Sequence, residues 1–391
     1  MEYKLSEIFD LQMGKTPDRR NRDYWNAATE PWISIADLSK CDKYIDKTSE
    51  CISKQAVEES GIKIIPKNTV IMSFKLSIGK LAITPKEMYS NEAIMAFIDK
   101  GVTQFESTYL YYLLMHKEWN EGTNKAVMGK TLNKVTLSEM KIKIHDYEKQ
   151  MEIINVLDKT KSIINDRKQQ LEQFNLLIKA RFVEMFGDPV LNPMGWEMPL
   201  IEDVVANEKN ALKAGPFGSA LKKEFYTESG YKIYGQEQVI SGDHRFGDYY
   251  IGEERYKTLE NCAVQAGDVL ISLVGTYGKL LIMPDDFEPG IINPRLMKIT
   301  FDKEKVNPLY FQYYFQSESL KKALSENTHG GTMDILNLGI VRKLGMPLPP
   351  LSLQNEFVDF TIQVDKSKVA VQKSLDEAQL LFDSLMQKYF G

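Results

Sequence analysis

The chain has 391 residues, of which 43% are hydrophobic and 26% charged; it is too long for one ordinary core and too apolar for general disorder, so two domains with connectors are expected. The net charge of −5 excludes little, because a DNA site needs a local basic face rather than a basic total. The cysteines Cys41, Cys51 and Cys262 lack metal-ligand spacing, the opening MEYKLSEIFD lacks a signal-peptide pattern, and no stretch approaches the roughly 18 apolar residues of a membrane span, so a cytoplasmic chain without membrane contact is expected.

Residues 1–145 form the first expected domain, with 21 Lys/Arg against 19 Asp/Glu. Gly14-Lys15-Thr16-Pro17 opens the densest basic loop of the chain, carrying Lys15, Thr16, Arg19, Arg20 and Arg22. Such side chains on a loop supply phosphate grip and base-edge hydrogen bonds; the bland alternative is a solvated loop. Thr69–Phe74 is a short β-branched run that predicts a strand. Lys75 and Lys80 flank the turn at Ile78-Gly79, Tyr109–Asn120 predicts an amphipathic helix, and Lys130 with Asn133 follows as a further candidate contact.

Residues 146–187 read as a long connector helix. No Pro or Gly falls between Tyr147 and Phe186. Alternating steps of four and three from Ile153 pick out Leu157, Thr160, Ile164, Arg167, Leu171, Phe174, Ile178, Arg181 and Met185, a mostly apolar heptad-like seam. A 40-residue helix is about 60 Å long at 1.5 Å per residue, and a seam of that length must be buried against something.

Residues 188–350 form the second expected domain, with Asp/Glu in excess. Gly215-Pro216-Phe217-Gly218 is followed by Ser219, Lys222 and Lys223, and preceded by Lys213. Gln236 and Gln238 have the side-chain type that pairs with adenine edges, although a satisfied loop amide is the better explanation of them. Asp268–Val274 predicts a second β-branched strand, followed by a glycine turn carrying Tyr277 and Lys279. Pro308–Asn327 predicts an amphipathic helix, and His329 and Thr332 close the candidate contacts.

Residues 351–391 repeat the connector, with Phe357, Thr361, Val364, Lys368, Val371, Leu375, Ala378, Phe382, Leu385 and Tyr389 on the same seam. The chain in fact matches itself at a shift of about 200 residues. Ile78-Gly79-Lys80-Leu81 aligns with Tyr277-Gly278-Lys279-Leu280, Gln150 with Gln354, and Phe186-Gly187 with Phe390-Gly391. A repeat this long is a duplicated domain plus helix rather than a solenoid. The expected fold is α+β: two mixed α/β domains with twisted, mainly antiparallel sheets, separated by two long helices that pair as an antiparallel coiled coil with pseudo-twofold symmetry.

These residues carry a resemblance. Leu348-Pro349-Pro350-Leu351-Ser352-Leu353-Gln354, the run Phe182 to Trp196 leaving the first helix, Gly14-Lys15-Thr16-Pro17 with Tyr24-Trp25 and Pro31-Trp32, and Gly215 to Lys222 resemble the specificity (S) subunit of Type I restriction–modification systems over the full length. The first helix departs from that pattern, since Ile144-His145-Asp146 lacks the Pro-Pro of the second copy. The resemblance implies two target-recognition domains, each reading one half of a split double-stranded DNA target. It implies helices that set the unread gap and dock two methyltransferase (modification) subunits, with restriction subunits joining the complex. S-adenosylmethionine, ATP and magnesium would belong to those partners, with no cofactor in this chain.

Catalytic residues are not expected here. Pro349-Pro350 lacks the polar partner of an amino-methyltransferase motif. Gly275-Thr276-Tyr277-Gly278-Lys279-Leu280 has Leu273 where a phosphate loop needs glycine and Leu280 where it needs Ser or Thr. His116, His145, His244 and His329 lack metal or triad spacing. Two other readings stay open at this point: a stand-alone nuclease or methyltransferase, and a coiled-coil scaffold without DNA contact.

Overall fold

The computed structural model describes residues 1–26, 28–75, 77–117, 119, 132–273, 279–326 and 336–391. They form two compact units. One comprises Met1–Lys168 and Lys373–Gly391, the other Gln169–Gln372.

In the first unit the strands are β1 (Glu2–Lys4), β2 (Phe9–Met13), β3 (Glu30–Ile33), β4 (Glu50–Ile52), β5 (Val70–Ser73), β6 (Leu81–Ile83), β7 (Tyr89–Ser90), β8 (Ile94–Asp99) and β9 (Lys141–Lys143). The main sheet runs β2-β8-β5-β6 and is antiparallel throughout; a smaller sheet runs β4-β3-β7, with β3 and β7 parallel, and β1 pairs with β9. Strand side chains alternate between faces, and here both faces are covered. Val70, Met72, Met95 and Phe97 pack toward the tyrosine-rich helix and the long helices, whereas Ile71, Ala82, Ile94 and Ala96 pack against Ile33, Leu38 and Ile45. This double burial explains why residues 70–72 read as a continuous apolar run rather than an alternating one.

The second unit repeats the plan with β10 (Leu212–Ala214), β11 (Tyr226–Thr227), β12 (Tyr231–Tyr234), β13 (Tyr250–Ile251), β14 (Val269–Ser272), β15 (Leu280–Ile282), β16 (Gly290–Ile292) and β17 (Leu296–Ile299). Its main sheet, β10-β17-β14-β15, has the order of β2-β8-β5-β6, and the smaller sheet again holds one parallel pair, β12 with β16. Val269 and Ile271 face the helices while Leu270 faces the small-sheet core. Mixed α/β units with mainly antiparallel sheets are therefore present in both halves.

The long helices span Tyr147–Phe186 and Leu351–Phe390. None of the twenty expected seam positions is exposed along either helix. Within the first unit, Ile153, Leu157 and Ile164 share a core with Ala378, Phe382 and Met386. Within the second, Phe182 and Phe186 both contact Phe357, with ring centroids 5.4 and 5.5 Å apart. Early residues of one helix thus meet late residues of the other, so they pair antiparallel. Polar seam residues find partners as well: Arg167 donates to Ser374 over 3.2 Å, and Arg181 pairs with Glu356 over 3.0 Å.

The aligned glutamines perform one job twice. Gln150 is fully buried; its amide donates to the carbonyls of Gln104 (3.0 Å) and His145 (2.9 Å) and accepts from the Glu106 amide (3.0 Å). Gln354, equally buried, donates to Lys305 and Pro349 carbonyls (both 2.9 Å) and accepts from the Asn307 amide (2.9 Å). Each ties the first turn of a long helix to the loop before the tyrosine-rich helix. His145 stands where the second copy has Pro349, and only its carbonyl is needed, so the missing Pro-Pro leaves the junction intact.

Two helix expectations need correction. The stretch expected as one helix over Pro308–Asn327 is two, Pro308–Phe315 and Glu318–Glu326, because Ser317 caps the second by accepting from the Leu320 amide. The helix expected from Tyr109 runs Ser107–His116, and Tyr109 through Leu114 are all buried, so it is enclosed rather than amphipathic. Its tyrosines are core residues, and the hydroxyls of Tyr109 and Tyr112 find partners in His145 and Asp158; in the second unit Tyr310 and Tyr314 donate to the Pro347 and Gly345 carbonyls over 2.7 Å.

Candidate nucleic-acid interface

The first glycine loop starts with a clamp. A Cβ on Gly14 would lie 2.2 Å from both the Ser90 and the Asn91 carbonyl oxygens, so only glycine fits. The Asn91 side chain accepts from the Ala93 amide over 3.0 Å and shapes the facing turn. The second unit has the same clamp: a Cβ on Gly215 would lie 1.9 Å from the Asn293 carbonyl oxygen, and Asn293 accepts from the Arg295 amide over 2.9 Å.

The basic loop that follows Gly14 is largely paired within the unit. Arg19 forms a two-point ion pair with Glu50 and lies over the Trp25 ring, 3.8 Å from its centroid. Arg20 pairs with Asp18 over 3.1 Å, its side chain 92% exposed. Lys15 donates to the Ser60 carbonyl and Thr16 to Glu92. The Thr16 hydroxyl holds the Glu92 carboxyl below its usual range, with Lys75 and Arg19 adding to the effect. Thr16, Arg19 and Lys75 are thereby grouped around the acidic side chains of Glu92 and Glu50, and exposed Arg22 carries no ion pair among the described residues. Exposed ion pairs contribute only about 0–1 kcal/mol, so a phosphate can compete for these guanidinium groups.

In the second unit the loop borders a cleft of about 930 Å³ lined by Gly218, Lys223, Gln236, Tyr249 and Arg295, among others. Gln236 donates to the Ser272 hydroxyl over 2.8 Å and accepts from the Arg295 guanidinium over 3.3 Å. Gln238, in contrast, is buried and spans the Gly235 amide and the Phe246 carbonyl, which is the satisfied-amide outcome. Lys222 pairs with Glu224 over 3.5 Å, Ser219 is exposed in a 3-10 turn, and Lys213 sits on strand β10 at the edge of the main sheet.

Other expected contacts lie elsewhere. Lys80 lines a cleft with Lys43, Asp158 and Lys161 of the first unit, and Lys279 one with Lys179, Asp188 and Lys368 of the second. Asn133 caps the helix Lys134–Glu139, its side-chain oxygen accepting from the Thr136 amide over 2.8 Å. Lys130, Tyr277, His329 and Thr332 lie outside the described residues. Sequence reasoning did not single out Arg295 or Tyr249; Asn293-Pro294-Arg295 offered a turn signal, but nothing tied it to Gln236, 59 positions earlier. Among the described residues no three His, Cys, Asp or Glu side chains are grouped to hold a metal, and no helix is long and apolar enough to cross a membrane.

The profile of the Type I restriction modification DNA specificity domain matches residues 1–173 and again residues 193–378. The chain belongs to this family. Its role is that of a Type I restriction–modification specificity subunit, the component that recognises the DNA target. The double match falls on the two halves of the internal repeat. The chain is 23% identical over 409 residues to the MjaIX specificity subunit of Methanocaldococcus jannaschii, covering 98% of this chain and 91% of that one. It is 22% identical over 321 residues to the MjaVIII specificity subunit of the same organism, covering 77% and 73%. Among solved structures, the S subunit from M. genitalium superposes with a TM-score of 0.54 at 14% identity, covering 100% of this chain and 96% of that one. A chain from a study of assembly and conformational transition in a type I R-M system gives 0.66 at 15% identity, covering 100% and 97%. These likenesses concern the fold.

Proposed function

We propose that each unit of this specificity subunit reads one half of a bipartite double-stranded DNA target, without catalysing a reaction itself. The observation that carries this reading is the duplicated clamp: Gly14 against Asn91 and Gly215 against Asn293 present an equivalent loop from each unit. In the first unit Lys15, Arg19, Arg20 and Arg22 grip phosphates while Thr16 and Lys75 lie beside the groove. In the second, Lys222 and Lys223 hold the backbone and Gln236 with Arg295 faces base edges, amide and guanidinium being the groups suited to adenine and guanine. The two 40-residue helices set the unread gap and dock two modification subunits. Those partners bind S-adenosylmethionine, and restriction subunits bring ATP and magnesium in a cytoplasmic complex.

The test is an exchange of residues 195–350 for the corresponding segment of another specificity subunit, followed by methylome sequencing. One half of the methylated sequence is expected to change. Alteration of both halves, or of neither, overturns the two-reader reading.

A further inference from the structure

Phe217 is the most exposed large apolar side chain among the described residues, at 89%. Its loop is nonetheless held on both sides. Gly215 is pinned against Asn293, and Pro216 restricts the backbone before the ring. After it, the Ala220 amide donates to the Phe217 carbonyl over 2.8 Å, the Arg255 guanidinium donates to the Ala220 carbonyl, and Leu221 is buried in the small-sheet core. A ring presented this way forms no part of a core in the unit that carries it. Its surroundings are those of a DNA contact: Gly218 beside it lines the Gln236–Arg295 cleft, and Lys222 and Lys223 follow within six residues. In the first unit the clamp is followed at the same offset by Thr16, whose hydroxyl is spent on Glu92. The two units thus differ in chemistry at one equivalent tip.

We infer that Phe217 packs against the 5-methyl group of a thymine in the half-site read by the second unit, making it a specificity-determining residue for that half alone. A phenyl ring offers a base pair no hydrogen bond, and in the major groove the thymine methyl is the apolar feature that distinguishes one pair from the rest. Gln236 and Arg295 in the adjoining cleft favour this groove, where amide and guanidinium groups read purine edges. The inference rests on the two-reader reading above.

The experiment uses the full chain assembled with modification subunits, at one salt concentration, on duplexes carrying the methylome-defined target. Each thymine of the second unit's half-site is replaced in turn by uracil, which removes only the methyl group. One such replacement is expected to weaken binding about fourfold, the equivalent of one buried methyl group at about 0.8 kcal/mol. Phe217→Ser is expected to weaken the native duplex similarly and to be indifferent to that uracil, while Phe217→Leu stays close to the parent. The ring is exposed, so neither change should disturb folding. Wild-type affinity in Phe217→Ser, an undiminished uracil effect in it, or a half-site without thymine overturns the inference. So does a 2-aminopurine brightening that Phe217→Ser abolishes, which would make the ring a wedge between base steps. If the segment exchange alters one half-sequence as expected, these failures count against Phe217 alone; if it does not, the two-reader reading itself has failed.

Discussion

A buried amide with three main-chain partners is hard to replace. Gln354→Ala would leave the Asn307 amide and the Lys305 and Pro349 carbonyls without their partner. Each unpaired buried group costs about 1–3 kcal/mol, so a stability loss on the order of 3 kcal/mol is expected in urea unfolding. A loss below about 1 kcal/mol would mean that the loop finds other partners. His145 supplies a pH dependence at the matching junction. Burial, then Lys143, lowers its imidazole from the ordinary value near 6.5, and its Nδ1 lies 2.8 Å from the Tyr109 hydroxyl, itself pushed up to about 12 by burial. A histidine whose folded value is depressed contributes stability that is fully present above its unfolded value and lost as pH falls below it. The chain should therefore lose stability below about pH 6.5, and His145→Asn should flatten that slope; identical profiles would clear His145 of the effect. The pairing of Gln150 with Gln354 was legible in the sequence, but its purpose was not, because the partners of each lie about 45 residues upstream as well as next door. The acidic partners of Arg19 and Thr16, Glu50 and Glu92, were illegible for the same reason, and Asn133, a residue type suited to starting a helix, was read as a contact rather than as the N-cap it is.

Between strands β14 and β17 the second unit buries an ion pair that the first lacks. Lys298 donates to Asp268 over 3.1 Å, Thr300 donates to the same carboxylate, and both members of the pair are under 5% exposed. The equivalent positions, fixed by strand register, are Thr69 and Ala96. Removing one partner of a buried pair costs about 3–5 kcal/mol, whereas replacing both can be close to neutral. Asp268→Thr alone should thus destabilise strongly, and Asp268→Thr with Lys298→Ala should recover most of the loss in thermal unfolding; a double variant no better than the single would refute the transfer. Elements with a clear period were the most legible. Both helix seams were predicted position by position, since a heptad pattern without Pro or Gly leaves one face to bury. The sheets were legible only as runs, because strands covered on both faces lose the alternation that marks a face. The tyrosine-rich helices misled for a related reason: a helix enclosed on nearly every side carries no polar face from which to read its orientation or end.

At the scale of the whole molecule, the spacer role proposed for the paired helices makes a dimensional prediction. Seven residues inserted into both helices at matching levels, between Arg167 and Leu171 and between Val371 and Leu375, add about 10.5 Å of helix. The methylated target should then gain about three unread base pairs at 3.4 Å each, with both half-sequences unchanged. A changed half-sequence with an unchanged gap would count against the spacer role. The glycine–asparagine clamps have a consequence for how such a protein changes its preference. Gly14 and Gly215 cannot accept a side chain, yet the tip two residues beyond each holds a threonine in one unit and a phenylalanine in the other. On the proposed reading, a glycine anchor that tolerates no side chain, followed by an exposed tip that does, would let single substitutions alter one half of the recognition sequence while leaving the scaffold's folding free energy nearly untouched.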